Sequence, residues 1–206
     1  MSKKLLFATN NKNKVKELQT AFENANLDIE LLSNADLDNP PYVRENKLTF
    51  EENAKLKAHA LADYSNLPTL ADDSGLMVKK LNGAPGVHSA RYGGEAHNDS
   101  RNNGKLLAAL GGVPQEEREA KFVTDLVLSW PNEPEKDLTV EGVCEGEILA
   151  VPRGEDGFGY DPLFYVPEKG KTFAEMSTEE KNEISHRGRA IKKLLEELPK
   201  WFAQFD

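Results

Sequence analysis

One cysteine, Cys144, and four histidines are all the thiolate and imidazole metal ligands that 206 residues offer. A lone cysteine closes no internal disulfide. Neither a Cys/His cluster of zinc spacing nor a secretory h-region behind Met1, Ser2, Lys3 and Lys4 is present, so a reducing, cytoplasmic setting is expected. Long apolar runs are missing too. No stretch approaches the roughly 18 uninterrupted apolar residues of a membrane span, the mean hydropathy is −0.61, and no membrane partner is expected. Positive charge is in deficit, with 26 Lys and Arg against 35 Asp and Glu. Binding to a nucleic-acid backbone draws its affinity from lysine and arginine displacing counterions, so no nucleic-acid partner is expected, and any polyanionic ligand must be small and locally caught. Internal repeats and low-complexity tracts are likewise missing. The chain reads as one domain over residues 1–206, of two interdigitated lobes, with enough apolar residues for a continuous core.

Short strands and amphipathic helices are what the pattern contains. Lys4, Leu5, Leu6, Phe7 and Ala8 form an apolar run ending at Thr9, Asn10 and Asn11, a buried strand entering a polar turn. Val15, Leu18, Phe22 and Ala25 then recur at helical spacing and predict a helix over about residues 13–24. Ile29, Glu30, Leu31 and Leu32 suggest a second strand. Asn39, Pro40 and Pro41 break regular structure, and Thr49, with Glu52 three residues on, caps a helix whose Phe50, Ala54, Ala58 and Leu61 face inward. Leu67, Pro68, Thr69, Leu70 and Ala71 lead into Asp72, Asp73, Ser74 and Gly75, an expected chain reversal before Leu76, Met77 and Val78. The glycine-rich residues 82–94 read as an ordered functional loop. Asp99 or Ser100 is expected to cap the next helix, which ends near Gly111 and Gly112. Residues 122–130 and 138–148 alternate with period two and predict an antiparallel hairpin with one sheet face partly wet. Thr178 and Ser185 open two last helices, the second with Ile191, Leu194, Leu195 and Leu198 inward ahead of Pro199.

Several stretches carry chemistry-bearing side chains. The turn of Thr9, Asn10, Asn11, Lys12, Asn13 and Lys14 lies at a helix N-terminus, where backbone N–H groups and the dipole favour an anion; a capped turn with solvated lysines would look the same. It lacks the glycines of a Walker A loop. Asp72 and Asp73 repel each other unless a cation or hydrogen-bond donors compensate. Oxygen-only ligands point to magnesium or manganese, with Glu45 and Glu51 or Glu52 able to complete the sphere; the plain alternative is an Asx turn with Gly75 at positive φ. Gly157, Phe158, Gly159, Tyr160, Asp161 and Pro162 set two aromatics and a carboxylate between glycines. A planar base could stack there while the aspartate accepts its ring N–H, although aromatics plugging a core fit the same residues. Lys181, Ser185, His186 and Arg187 supply donors ahead of the last helix, or act as cap and surface residues.

These motifs, in this order, resemble the inosine triphosphate pyrophosphatase family. The likeness rests on Thr9, Asn11 and Lys14; on Thr49, Phe50, Glu51, Glu52, Asn53 and Ala54; on Ala71, Asp72, Asp73, Ser74, Gly75 and Leu76; on Gly83, Ala84, Pro85, Gly86 and Val87 with Ser89, Ala90, Arg91 and Tyr92; on residues 157–162; and on Ser185, His186 and Arg187. It covers about residues 4–195, and the first loop departs from the family pattern at Lys12 and Asn13. The resemblance implies an α/β fold, an elongated mixed β-sheet flanked by helices in two lobes with a central cleft, and a homodimer. It implies hydrolysis of ITP, dITP and XTP to the monophosphate and pyrophosphate with Mg2+, or Mn2+ in its place. Carried over residue by residue, Asp73 would be the catalytic base and Glu45, Asp72 and Asp73 would stand near the metal. Thr9, Asn10, Asn11, Lys12, Asn13 and Lys14 would hold the phosphates. Ser74, Phe158, Gly159, Tyr160, Asp161, Lys181, His186 and Arg187 would hold the rest of the nucleotide. A related house-cleaning pyrophosphatase for other modified nucleoside triphosphates and a non-catalytic nucleotide-binding regulator are the alternatives. A pure binder would gain little from two unneutralised carboxylates beside a polyphosphate.

Overall fold

The computed structural model describes residues 3–206. In strand β1 (Lys3–Phe7), Leu5, Leu6 and Phe7 are all buried, as an apolar run covered on both faces requires. It pairs in parallel with β2 (Ile29–Ser33) and with β3 (Thr69–Val78), setting Leu5 opposite Leu31 and Phe7 opposite Leu70. The strands β4 (Glu119–Ser129), β5 (Leu138–Ile148), β6 (Phe164–Val166) and β7 (Lys171–Thr172) complete a mixed sheet in the order β2-β1-β3-β4-β5-β6-β7, in which β6 is antiparallel to both β5 and β7. The helices are α1 (Lys12–Asn24), α2 (Phe50–Ser65), α3 (Asp99–Ala109), α4 (Thr178–Ile184) and α5 (His186–Ala203). The expected mixed sheet with flanking helices is present.

The chain divides into two compact units. The first contains the segment ending at Asp73 together with residues 125–141 and 190–206. Side-chain alternation splits its sheet into two faces. Leu5, Phe7, Leu70, Leu126 and Leu128 pack against Leu18 and Phe22 of α1 and Leu194, Leu198, Trp201 and Phe202 of α5. Leu6, Ala8, Ala71 and Val127 pack against Ala54, Ala58 and Leu61 of α2. On that alternation Asp72 follows Leu70 onto the α1 side, and Asp73 follows Ala71 onto the α2 side. The second unit contains residues 74–124 and 142–189. Its core joins Leu76, Val78, Phe122, Cys144, Ile148, Phe164 and Phe173 to Leu106 of α3 and to Leu110, which caps that helix.

Several local expectations are corrected. Asp72, Asp73, Ser74 and Gly75 make no chain reversal, because β3 runs unbroken from Thr69 to Val78. The strand lies between β1 and β4, with β1 pairing only at Thr69 and Leu70, and the buried Leu70, Ala71, Leu76 and Val78 anchor the acidic stretch from either end. Helix α3 is capped by Asn98, whose side chain accepts the Arg101 N–H, one residue ahead of the expected cap. Pro199 lies inside α5, which continues to Ala203. The break that proline favours is overridden by Trp201 and Phe202, both buried in the core beyond it. The wet face of the hairpin strands is confined to Glu119 and Lys121 on β4 and to Glu141 and Glu145 on β5, since β4 is buried continuously from Phe122 to Ser129.

Candidate active site

In the first unit the acidic pair of β3 is met by side chains from both helical layers. Lys14 of α1 reaches the Asp72 carboxylate, Nζ to Oδ2, over 2.6 Å, and both side chains are largely buried. Asn53 of α2, almost wholly buried, donates from Nδ2 to Asp73 Oδ2 at 3.0 Å. Lys57, one turn further along α2, gives its ammonium to the Asp72 carbonyl and to the Glu45 carboxylate. Burial pulls the pKa of Lys57 down, but the Asp72 and Glu45 carboxylates, with Asp73 behind them, outweigh it and hold the lysine above its ordinary value. The repulsion expected between Asp72 and Asp73 is thus relieved by their opposite directions and by compensating donors.

Asn53 and Lys57 are the residues around the acidic pair that sequence reasoning leaves without a role. The available signal is their place on the inward stripe of α2 beside Phe50, Ala54, Ala58 and Leu61, where a polar residue needs a partner. Asn53 also accepts the Lys47 N–H at 2.9 Å, which ties down the irregular segment that carries Glu45.

The loop at the end of β1 is built differently from a bare anion cradle. Thr9 Oγ1 accepts the Asn11 N–H, and Asn11 caps α1 by accepting the N–H groups of Asn13 and Lys14 at 2.9 and 3.3 Å. Two first-turn donors expected to face a phosphate are therefore held by Asn11. A phosphate here would draw on the lysine side chains or displace that cap. Asn10, Asn11, Lys12 and Asn13 are exposed, while Lys14 is turned toward Asp72.

In the second unit, Phe158 is 65% exposed, with the Lys181 ammonium 4.8 Å from its ring centroid. Asp161 is buried and accepts both the Phe158 N–H, at 3.1 Å, and Lys181, at 2.5 Å. Its carboxylate is thus committed to the loop and the lysine, whereas the sequence suggested a free acceptor for a base. Gly157 allows this turn. At φ +79° a side chain is strained, and a Cβ would run into the Asp161 carboxylate. Tyr160 is corrected as a stacking surface, since its ring is buried in the core and its hydroxyl donates to the Ser89 carbonyl at 2.7 Å. Burial, with Tyr92 and Asp99 adding to it, pushes that phenol's pKa up. His186 stacks on Phe122 at 4.8 Å between centroids, and half-buried Arg187 follows it on α5. Ser74, half-buried, opens the unit on β3.

Residues 5–197 match the model of the Ham1 family. The chain belongs to that family. Ham1 relatives resemble it over nearly its whole length. It is 66% identical to a protein of Lactobacillus acidophilus named dITP/XTP pyrophosphatase, over 97% of this chain and 98% of that one. It is 50% identical to one of the same name from Geobacillus kaustophilus, over 95% and 94%. Among solved structures, the Ham1 protein of Staphylococcus aureus superposes with a TM-score of 0.88 at 41% identity, covering 96% of this chain and 99% of that one. A HAM1 protein from Coxiella burnetii does so with a TM-score of 0.91 at 40% identity, with the same coverage.

Proposed function

We propose that this Ham1-family chain hydrolyses deaminated purine nucleoside triphosphates, dITP, XTP and ITP, to the monophosphate and pyrophosphate, removing them from the nucleotide pool. The observation that carries the reading is the acid pair of β3 held by Lys14, Lys57 and Asn53, in a chain alike along its length to proteins named for that reaction. Cleavage between the α and β phosphates takes a water oxygen to the α phosphorus and sends the bridging oxygen away with pyrophosphate. Asp73, oriented by Asn53, accepts the water's proton. Lys14 and Lys57 place positive charge where phosphate oxygens gain negative charge.

Magnesium, with manganese as substitute, is part of the same reading. Glu45 and Asp73, both met by side chains of α2, offer only oxygen donors, as a hard dication requires, whereas the Asp72 carboxylate is turned to Lys14 on the α1 side. Magnesium is commonly taken by one or two carboxylates together with substrate phosphates. When bound, it would neutralise phosphate charge and lower the pKa of the attacking water.

The second unit supplies the chemistry for the base. Phe158 presents an aromatic face, and Lys181 and Arg187 are donors for a 6-keto oxygen. Hypoxanthine and xanthine carry that acceptor and a protonated N1, whereas adenine reverses both, and a site built to bond a group rejects the analogue lacking it by roughly 10⁴ to 10⁵ when its partners are left unpaired. No helix among the described residues is long and apolar enough to cross a membrane, and a cytoplasmic homodimer completes the proposal. Product analysis with ITP, XTP, GTP and ATP, with and without magnesium, tests it on wild type and Asp73→Asn. Pyrophosphate from ITP and XTP is expected, with the variant losing turnover while keeping nucleotide affinity. Release of single phosphates, or unchanged turnover in the variant, would overturn it.

A further inference from the structure

Gly159 lies between the exposed Phe158 ring and the buried Tyr160, and its backbone is held from both sides by one helix. Its N–H donates to Asp99 Oδ2 at 2.7 Å, and its carbonyl accepts from Asn103 Nδ2 at 2.8 Å. Asp99 and Asn103 are four residues apart on α3 and so share a face. The helix is itself firmly seated. Leu106 and Leu110 are fully buried, and Asn102 bonds the Gly93 N–H and the Ala90 carbonyl at 2.6 and 3.2 Å.

Gly159 needs such a lock. It sits at φ +62° with open space where a Cβ would stand, so side-chain packing does not restrain it, and beyond the turn bond from the Asp161 N–H to the Phe158 carbonyl, at 3.2 Å, the α3 pair is what holds the two peptide groups of this glycine. Rotation there would swing Phe158, whose ring and Lys181 cover make the aromatic platform of this unit. We infer that Asp99 and Asn103 are positioning residues for base specificity, fixing Gly159 so that Phe158 and Lys181 keep one orientation toward the purine. This rests on the proposed function and adds to it the two side chains that set the platform.

The test uses Asp99→Ala, Asp99→Asn, Asn103→Ala and Asn103→Asp in the full chain. Pyrophosphate release from ITP, XTP and GTP would be followed, with calorimetric titration of IMP and of inorganic triphosphate, a probe without a base. Asp99→Asn keeps an acceptor for the Gly159 N–H but loses the charge that favours a helix N-terminus. Asp99→Ala, Asn103→Ala and Asn103→Asp are expected to raise the KM for ITP about tenfold with kcat within about twofold, and to lower ITP-over-GTP discrimination about tenfold. Asp99→Asn should stay near wild type, and triphosphate affinity should not change. Unchanged KM and discrimination in both alanine variants would overturn the inference. So would Asp99→Asn matching Asp99→Ala, or triphosphate affinity falling together with that for IMP. A wild type that releases no pyrophosphate from ITP would instead overturn the proposed reaction, and the IMP titrations would still decide whether the bracket governs base binding.

Discussion

Asn53 joins Asp73 to the backbone of the Glu45 segment through one amide, donating to Asp73 Oδ2 at 3.0 Å and accepting the Lys47 N–H at 2.9 Å. A side chain buried to 1% exposure and satisfied at both ends has a single workable orientation. Asn53→Ala should therefore lower kcat for ITP by about 10–100-fold, as loss of a supporting shell does, and cost about 1–3 kcal/mol of stability by leaving the Lys47 N–H without its acceptor. Asn53→Asp should be the worse variant, because it sets a carboxylate against Asp73. Steady-state kinetics alongside thermal unfolding would separate the two effects. Full kcat in Asn53→Ala would remove Asn53 from the site.

Lys57 stands among Glu45, Asp72 and Asp73 as their common counter-charge. Lys57→Met keeps the length and apolar stem but leaves the carboxylates opposing one another. Destabilisation at neutral pH should reach at most about 3–5 kcal/mol, the cost of breaking a buried pair, reduced by the partial exposure of Glu45. Because the folded chain holds the Lys57 pKa above its ordinary 10.5, the contribution of its charge is fully present below about 10.5 and is lost as the pH rises through the folded value, so the gap in melting temperature between wild type and variant should be steady near neutrality and narrow above about pH 10.5. A gap independent of pH would mean that Lys57 acts by packing alone.

Helix α2 illustrates how much of the fold and site the sequence makes legible. Its start at Thr49 and the inward set of Phe50, Ala54, Ala58 and Leu61 follow from capping chemistry and a 3.6-residue period, and both hold in the structure. Asn53 and Lys57 share that stripe but take their meaning from Asp73, Asp72 and Glu45, contacts of long sequence separation that no local pattern encodes. The acidic stretch of β3 failed for a related reason. Asp, Asp, Ser and Gly are turn residues by local preference, yet β3 runs through them extended between the buried Leu70 and Ala71 on one side and Leu76 and Val78 on the other. Residues 157–162 were legible as a glycine-rich turn, but only tertiary packing could separate exposed Phe158 from buried Tyr160.

Cys144 points into the core of the second unit at 2% exposure, and burial pushes its thiol up to about 11. The thiolate is the reactive species, so the folded protein should resist alkylation by iodoacetamide at pH 8, while the urea-unfolded chain is labelled readily. Mass spectrometry of the two samples would check this. Rapid labelling of the native protein would show that this core opens on the labelling timescale.

Asp125 lies on the α2 side of the sheet in β4, and its carboxylate accepts the Glu51 N–H in the first turn of α2. Burial first, then the neighbouring Glu141 and Glu51 carboxylates, raise its pKa from 3.8 to about 6 against the lowering by that single hydrogen bond. Below about pH 4 both the folded and the unfolded chain carry the proton, and Asp125 costs nothing. Between about 4 and 6 the unfolded chain releases the proton first, so this group's contribution to stability falls as the pH rises, and above about 6 the loss is complete. The rise from 3.8 to about 6 sets that loss at no more than about 3 kcal/mol. Asp125→Asn keeps an oxygen for the Glu51 N–H and removes the charge. The variant should therefore melt several degrees above wild type at pH 7.5 and show little difference at pH 4. Thermal unfolding of both proteins across that range would measure the difference, and an advantage that grows toward acid would refute this account of Asp125.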